Sequence, residues 1–185
     1  ALAQRDLNGD WQPDGGLIMR GEDEQAIGIF VDGAMGLVAN AIPPPDAALM
    51  ERALDLALEE TARFGLTGVH EAGTPWPVLQ LYLRRSAEGR LPLRVYAMAD
   101  GANETLARLC ESGPVRDDSG RVIARSVKLY ADGALGSRGA ALIEPYTDAP
   151  ETKGLLFHGD QSLLDLVTKA MGCGLQVNTC LLYTS

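Results

Sequence analysis

The sequence predicts an α/β fold in which parallel strands alternate with helices. From residue 41 onward, β-rich runs such as "LTGVHEAG", "LRVYAMADG" and "VIARSVKLYADG" are separated by segments in which apolar residues recur at helical spacing. The runs are mostly apolar rather than strictly alternating, which is typical of strands covered on both faces. Two architectures fit: an open doubly wound sheet, or part of a (β/α)8 barrel, because a complete barrel takes about 250 residues and the chain has 185.

The first helix of this series is predicted in "IPPPDAALMERALDLALEETARFG", between Asp46 as N-cap and Gly65 as the residue after the helix. Its inward face is predicted to consist of the apolar residues at helical spacing, Leu49, Ala53, Leu56, Ala57 and Phe64. A second helix, "PWPVLQLYLRRSAEG", follows the first strand and is predicted to turn Leu79, Tyr82 and Leu83 inward.

Two more helices and a fourth strand complete the alternation. "NETLARLCESG" is predicted as a short helix with Asn103 as its cap, and "DQSLLDLVTKAMGCG" as a longer one capped by Asp160. The fourth strand begins at "LQVNT". Residues 1–40 do not join this rhythm, and "GGLIMRGEDEQAIGIFVDGAMGLV" predicts an inserted segment with a β-hairpin that leads into a helix.

Composition limits the classes of partner. Hydrophobic residues make up 46% of the chain, charged residues 22%, and the net charge is -9. An acidic protein of this kind repels phosphate backbones, and no apolar run approaches the roughly 20 residues that span a bilayer, so we expect neither nucleic acid nor a membrane as partner. Cys110, Cys173 and Cys180 are far apart and odd in number, which favours reduced structural thiols over a disulfide framework or a zinc motif.

Ionisable residues follow the predicted strands at the end where α/β proteins collect their chemistry. His70 and Glu71 follow "TGV", and Asp100 follows "VYAMA". In "SVKLYAD", residues two apart share a face, so Lys128, Tyr130 and Asp132 are predicted to point one way and Val127, Leu129 and Ala131 the other.

Lys128 admits two interpretations. It is an edge lysine whose ammonium reaches water or pairs with Asp132 or Asp100, or it is a functional amine at the mouth of the sheet. A desolvated lysine loses its proton readily, and the neutral amine can act as a base, form a Schiff base, or take up carbon dioxide to become a carbamate. A carbamate can bridge two metal ions.

The loop "DGALGSRGAAL" after this strand has the spacing G-x-x-G-x-x-G, which matches no phosphate-binding motif. A phosphate or cofactor site is one hypothesis, and a loop with unusual backbone angles that lets a substrate come close is the favoured one. Arg138 in this loop either holds a substrate or is solvated. His70 is a ligand, an acid/base group or, as the favoured alternative, a hydrogen-bonded packing residue.

The block "SVKLYADGALGSRGAALIEPYTDAPETKGLL" resembles the signature of the YtcJ-like branch of the amidohydrolase superfamily, amidohydrolase family 3. The stretches "GIFVDGAMGLV", "AIPPP", "GLTGVHEAG", "GRLPLRVYAM" and "GLQVNT" resemble it too, so the likeness covers nearly the whole chain. It implies a (β/α)8 TIM barrel, of which this chain would carry about strands 2–5. It also implies hydrolysis of an amide-like C–N bond in a small molecule by water that one or two divalent metals, zinc by expectation, activate.

The resemblance places Lys128 at the carboxylated lysine of the fourth barrel strand and leaves His70, Asp132 and Arg138 as candidates near the metal or substrate. The first-strand H-x-H pair is absent, and "CLLYTS" stands where relatives continue into a histidine-bearing stretch. The hexapeptide matches one frame of a common sequencing-library adapter. We therefore expect an internal fragment with an insertion at 1–40, a partial barrel at 41–179 and a non-native read-through tail at 180–185.

The fragment is expected to be inactive by itself, and the parent enzyme is expected in the cytoplasm. Two alternatives from other classes stay open, a Gly-loop phosphate- or cofactor-binding α/β domain and a non-catalytic binding module. The sequence predicts neither the substrate nor the oligomeric state.

Overall fold

A computed structural model describes residue 7 and residues 9–13, 16–101 and 104–181 of the chain. Its elements in chain order are β1 (Gly16–Arg20), β2 (Ala26–Asp32), α1 (Met35–Ala39), α2 (Ala47–Arg63), β3 (Gly68–Thr74), α3 (Trp76–Ala87), β4 (Arg94–Asp100), α4 (Glu104–Ser112), β5 (Val115–Arg116), β6 (Val122–Tyr130), α5 (Asp160–Gly172) and β7 (Gln176–Cys180). Helices and strands alternate as predicted. The predicted cap Asn103 and the last four residues of the predicted tail lie outside the described residues.

The chain divides into two compact units. The first takes its residues from 1–44, 130–159 and 181–185, and the second from 45–129 and 160–180. The division predicted at residue 40 stays a prediction, and in the structure the loop that follows β6 groups with the N-terminal segment.

The first unit contains the predicted hairpin and helix. Strands β1 and β2 pair antiparallel, with Leu17 opposite Val31 and Ile18 opposite Phe30. The loop 130–159 is held by backbone hydrogen bonds, among them Gly133 N–H to Gly139 O at 3.1 Å and Leu155 N–H to Gly139 O at 2.9 Å. It carries a single short 3-10 turn at Leu135–Ser137.

The second unit is built on a mixed five-stranded sheet. Strands β3, β4 and β6 pair in parallel in that order, and β7 pairs with β6. The two-residue β5, which the sequence analysis missed, pairs antiparallel with the start of β6. The parallel β3–β4–β6 core confirms the predicted βαβ units, and closure into a TIM barrel stays a prediction.

The core of the second unit lies between this sheet and its helices. Its buried residues include Val95, Ala97 and Ala99 of β4 and Val122, Ala124, Val127 and Leu129 of β6, which share one face of the sheet with helix residues such as Leu79 and Leu106. The predicted orientation of β6 is confirmed for Val127 and Leu129, which are buried, and for Lys128 and Tyr130, which are not. Arg85 of α3 is 2% exposed and pairs with Glu51 and Asp55 of α2.

The predicted ends of α2 are confirmed, and its predicted inward face is wrong. The Asp46 carboxylate accepts a hydrogen bond from the Leu49 N–H at 2.8 Å, and Gly65 adopts a positive φ of 72° after the last turn. The residues that pack inward are Leu54 and Leu58, whereas Leu49 is 57% and Phe64 69% exposed. The helix has apolar residues on two sides, and periodicity does not say which side meets the sheet.

The expectation of reduced cysteines is also wrong. Cys110 of α4 and Cys173, directly after α5, form a disulfide across 63 residues of sequence, while Cys180 is free and exposed. Both bonded cysteines pack against the core of the second unit. Folding brings the two helices together, which the wide spacing in sequence concealed. Within the described part of the chain, no helix has both the length and the hydropathy to cross a membrane.

Candidate functional site

Lys128 lies at the carboxyl end of β6, where the sequence analysis expected chemistry. It is half-buried, and its Cα partner across the parallel ladder is Asp100, the last residue of β4. Paired residues of neighbouring strands project from the same face of a sheet, so the two side chains start from adjacent positions on one face. Both interpretations of Lys128, as a paired ammonium and as a reactive amine, stay predictions.

Two further polar groups on this sheet escaped the sequence analysis. Ser126 Oγ of β6 and Asn178 Nδ2 of β7 are buried and, within the described residues, have no hydrogen-bond partner. Ser126 precedes Lys128 by two positions and so shares its face. Applying the two-residue period backward from Lys128 would have found Ser126. Nothing in the sequence distinguishes Asn178 from other strand residues.

His70 does not lie at a strand end. It sits in the middle of β3 opposite Tyr96 of β4, and the two ring centroids are 5.0 Å apart. Tyr96 precedes Asp100 by four residues, which corresponds to about 13 Å along a strand. His70 lies within the strand because β3 continues to Thr74, where the sequence suggested an earlier end, and its role near the metal or substrate stays a prediction. Glu71 points to the other face, where burial and then its charge raise the pKa of Tyr82 to about 12.

Asp132 belongs to the first unit and organises its loop. Its side chain is 3% exposed, and Oδ2 accepts a hydrogen bond from the Ala141 N–H at 3.0 Å. Asp132 also forms an isolated β-bridge with Leu156. These contacts join the start of the loop to two later parts of it, which is a structural role.

Arg138 is exposed and occupies the left-handed region with φ 57°. Its guanidinium donates to Asp148 Oδ2 at 3.0 Å, and this contact raises the pKa of Arg138 and lowers that of the Asp148 carboxyl. Arg138 thus forms an ion pair with Asp148 at the surface of the first unit.

Two of the three glycines of the loop, Gly133 and Gly139, are needed for space and not for unusual backbone angles. None of Gly133, Gly136 and Gly139 has a positive φ, contrary to the expectation. A Cβ on Gly139 would lie 2.2 Å from Asp32 Oδ2, and one on Gly133 would lie 2.8 Å from the same oxygen. A Cβ on Gly136 would meet nothing within 4 Å. The Asp32 carboxylate therefore occupies the space beside Gly133 and Gly139 in which the phosphate-binding hypothesis would place an anion.

The described residues do not form a complete metal site by themselves. No three histidine, cysteine, aspartate or glutamate side chains among them gather closely enough to hold a metal ion. Lys128 could add a carboxylate only after conversion to a carbamate, and Asp100 beside it opposes a second negative charge. What the sheet edge presents is one lysine with a neighbouring carboxylate.

The sequence profile of the Amidohydrolase family matches residues 1–184. The chain belongs to the Amidohydrolase family. Two relatives of this amidohydrolase chain extend the comparison. YtcJ of Bacillus subtilis (strain 168), whose name describes an amidohydrolase, is 34% identical over 174 residues and 89% of this chain. The protein LONG AFTER FAR-RED 3 of Arabidopsis thaliana is 28% identical over 181 residues and 89% of the chain.

Two solved structures share the fold of this amidohydrolase chain. A metal-dependent hydrolase from Pyrococcus horikoshii OT3 superposes with a TM-score of 0.62 at 26% identity, and one from Pyrococcus furiosus with 0.59 at 27%, each over 81% of this chain. The chain covers 36% and 37% of those two chains, and 31% and 30% of the two curated relatives. It therefore spans about a third of the length of the proteins that it matches.

Proposed function

We propose that the protein to which this chain belongs hydrolyses an amide-like C–N bond of a small molecule with the help of a divalent metal, zinc by expectation. Membership of the Amidohydrolase family and the likeness to metal-dependent hydrolases support hydrolysis and a metal. The observation that carries the proposal to this chain is Lys128, half-buried at the carboxyl end of a central parallel strand. Catalytic groups of α/β enzymes collect at that edge.

The role proposed for Lys128 is that of a metal ligand formed by carboxylation. The neutral amine attacks carbon dioxide, a new N–C bond forms, and one proton leaves, which yields a carbamate anion. Asp100 is the ladder partner of Lys128, so a carbamate at this position would add a second negative charge on the same face of the sheet. The carbamate thus requires a cation that offsets both charges. A metal, when bound, supplies that charge and lowers the pKa of bound water.

The 185-residue chain alone is proposed to be inactive. Among the described residues, no three histidine, cysteine, aspartate or glutamate side chains gather closely enough to hold a metal ion. The test is to purify the chain, add one equivalent of zinc, and measure bound zinc by mass spectrometry and hydrolysis of a set of N-acyl amines. Stoichiometric zinc together with turnover would overturn this part of the proposal.

A test of the parent protein uses Lys128→Ala with Lys169→Ala as the matched control. Lys169 is an exposed lysine in the last turn of α5. We expect Lys128→Ala to lose bound metal and hydrolysis together, and added short-chain carboxylates to restore part of both, because they replace the missing carbamate. Lys169→Ala should keep both. Full metal content and activity in Lys128→Ala would refute the assigned role.

The alternatives gain no support. A phosphate or cofactor site in the glycine loop is disfavoured by the Asp32 carboxylate packed against Gly133 and Gly139. A non-catalytic binding module has no specific observation in its favour. The absence of nucleic-acid and membrane partners stays a prediction. The cytoplasmic location stays one too, and the redox state of Cys110 and Cys173 in the cell bears on it, because disulfides are rare in cytosolic proteins.

A further inference from the structure

The first unit contains a cavity with a volume of about 580 Å³. One wall is a face of the β1–β2 hairpin, and the opposite wall is the loop around Gly136 and Gly139 together with Leu155. Small-molecule sites in proteins have volumes of about 300–1,000 Å³, with apolar walls and a few placed polar groups. The cavity has the size and the construction of such a site.

The hairpin wall is apolar without being part of a core. Leu17 and Ile29 line the cavity and are 43% and 48% exposed, and Met19 beside them is exposed as well. Ile18 points to the other face of β1 and is 1% exposed, so the hairpin packs through that face. Contiguous exposed apolar residues in a concave surface are typical of binding sites. An apolar body in the cavity would remove these side chains from water and bind by that burial.

The polar groups of the cavity favour a positive charge. Asp32, Glu151 and Arg138 are its ionisable lining residues, and the guanidinium of Arg138 is already matched by Asp148 outside the lining. Asp32 Oδ2 is buried and has no hydrogen-bond partner within the described residues. Its position is fixed because the oxygen lies against Gly139, where even a Cβ would not fit. Glu151 also acts on Arg138 through its charge. Asp32 is therefore the lining carboxylate with no ion-pair partner within the described residues.

We propose that this cavity binds a small organic ammonium ion with an apolar body. The ammonium would lie near Asp32 and Glu151, and the apolar body would cover Leu17 and Ile29. The proposal does not rest on the proposed hydrolysis, because it invokes neither Lys128 nor a metal.

The test is isothermal titration calorimetry of the 185-residue chain with three probes that share one apolar body: 2-phenylethylammonium, 2-phenylethanol and phenylacetate. A hydrogen bond to a charged group contributes about 1.5–3 kcal/mol, and 1.4 kcal/mol corresponds to about tenfold in affinity. We therefore expect the dissociation constant of the ammonium to be at least about tenfold lower than that of the alcohol. Phenylacetate should bind most weakly of the three.

Variants identify the groups responsible. Asp32→Asn should reduce the preference for ammonium over alcohol to near one, and asparagine is compatible with the positive φ of 49° at this position. Leu17→Ser should weaken the ammonium and the alcohol by the same factor. Asp118→Asn, an exposed carboxylate of the second unit, is the control and should change nothing.

Glu151→Gln keeps the test decisive if Asp32→Asn does not fold, which far-UV circular dichroism will reveal. It removes an exposed carboxylate of the cavity and should lower the preference for ammonium. Equal affinities for the three probes, no binding of the ammonium at millimolar concentration, or an unchanged preference in folded Asp32→Asn or Glu151→Gln would overturn the proposal.

Discussion

Reduction of the Cys110–Cys173 disulfide should strongly destabilise the second unit. The bond closes a loop of 63 residues between α4 and the end of α5. In the chain-entropy treatment of cross-links, a loop of this length corresponds to about 4 kcal/mol of stabilisation at 25 °C. With a urea dependence of about 2 kcal/mol per molar, the unfolding midpoint of the reduced protein should lie about 2 M lower.

The assay is urea unfolding followed by circular dichroism, with and without a reducing agent. Cys180→Ser should be used as the parent, because it removes the exposed free thiol while leaving the disulfide. In that parent the double variant Cys110→Ala/Cys173→Ala should unfold at low urea and should no longer respond to reductant. Thiol titration of the unmodified, unfolded chain should find one reactive thiol. Three reactive thiols, or identical midpoints with and without reductant, would refute the reasoning.

Three further predictions concern packing and charge. Gly139→Ala should destabilise the first unit by about 1–3 kcal/mol, because overpacking forces its neighbours apart, whereas Gly136→Ala should be tolerated; thermal melting compares the two. Burial raises the pKa of Asp117, but hydrogen bonds from the hydroxyls of two serines and from two backbone N–H groups outweigh this and lower it to about 2. Its stabilisation should therefore be present above about pH 4 and be lost as the pH falls towards 2, and Asp117→Asn should remove this dependence in acid-unfolding curves. Arg85→Met should lower the free energy of unfolding measured in urea by about 1–3 kcal/mol, because Asp55 loses its ion-pair partner and Glu51 keeps only Arg84.

Much of the second unit could be predicted because its signals are local. The Asp46 side chain caps α2 through a neighbouring N–H, and Gly65 adopts the positive φ that ends the helix. Each of these depends on residues within one turn of the chain. The apolar runs of β4 and β6 likewise predicted strands with at least one buried face, and the structure confirms this.

The failures concern questions that a local pattern leaves open. Helix α2 is apolar on two sides, and only its docking through Leu54 and Leu58 decided which side is inside. His70 was expected at a strand end, and the length of the ladder with β4 moved it to the middle. Both outcomes depend on partners distant in sequence.

The candidate site divides in the same way. The sequence by itself determined that Lys128 stands at the end of an apolar strand inside a block specific to the family, and its role as a reactive amine stays a prediction. Only the tertiary structure decided that Asp100 is its neighbour, that Cys110 meets Cys173, and that Asp32 lies where the loop glycines leave room. The physical reason is that residue type and period act over a few positions, whereas strand register and close packing are fixed by free-energy differences between whole folded arrangements.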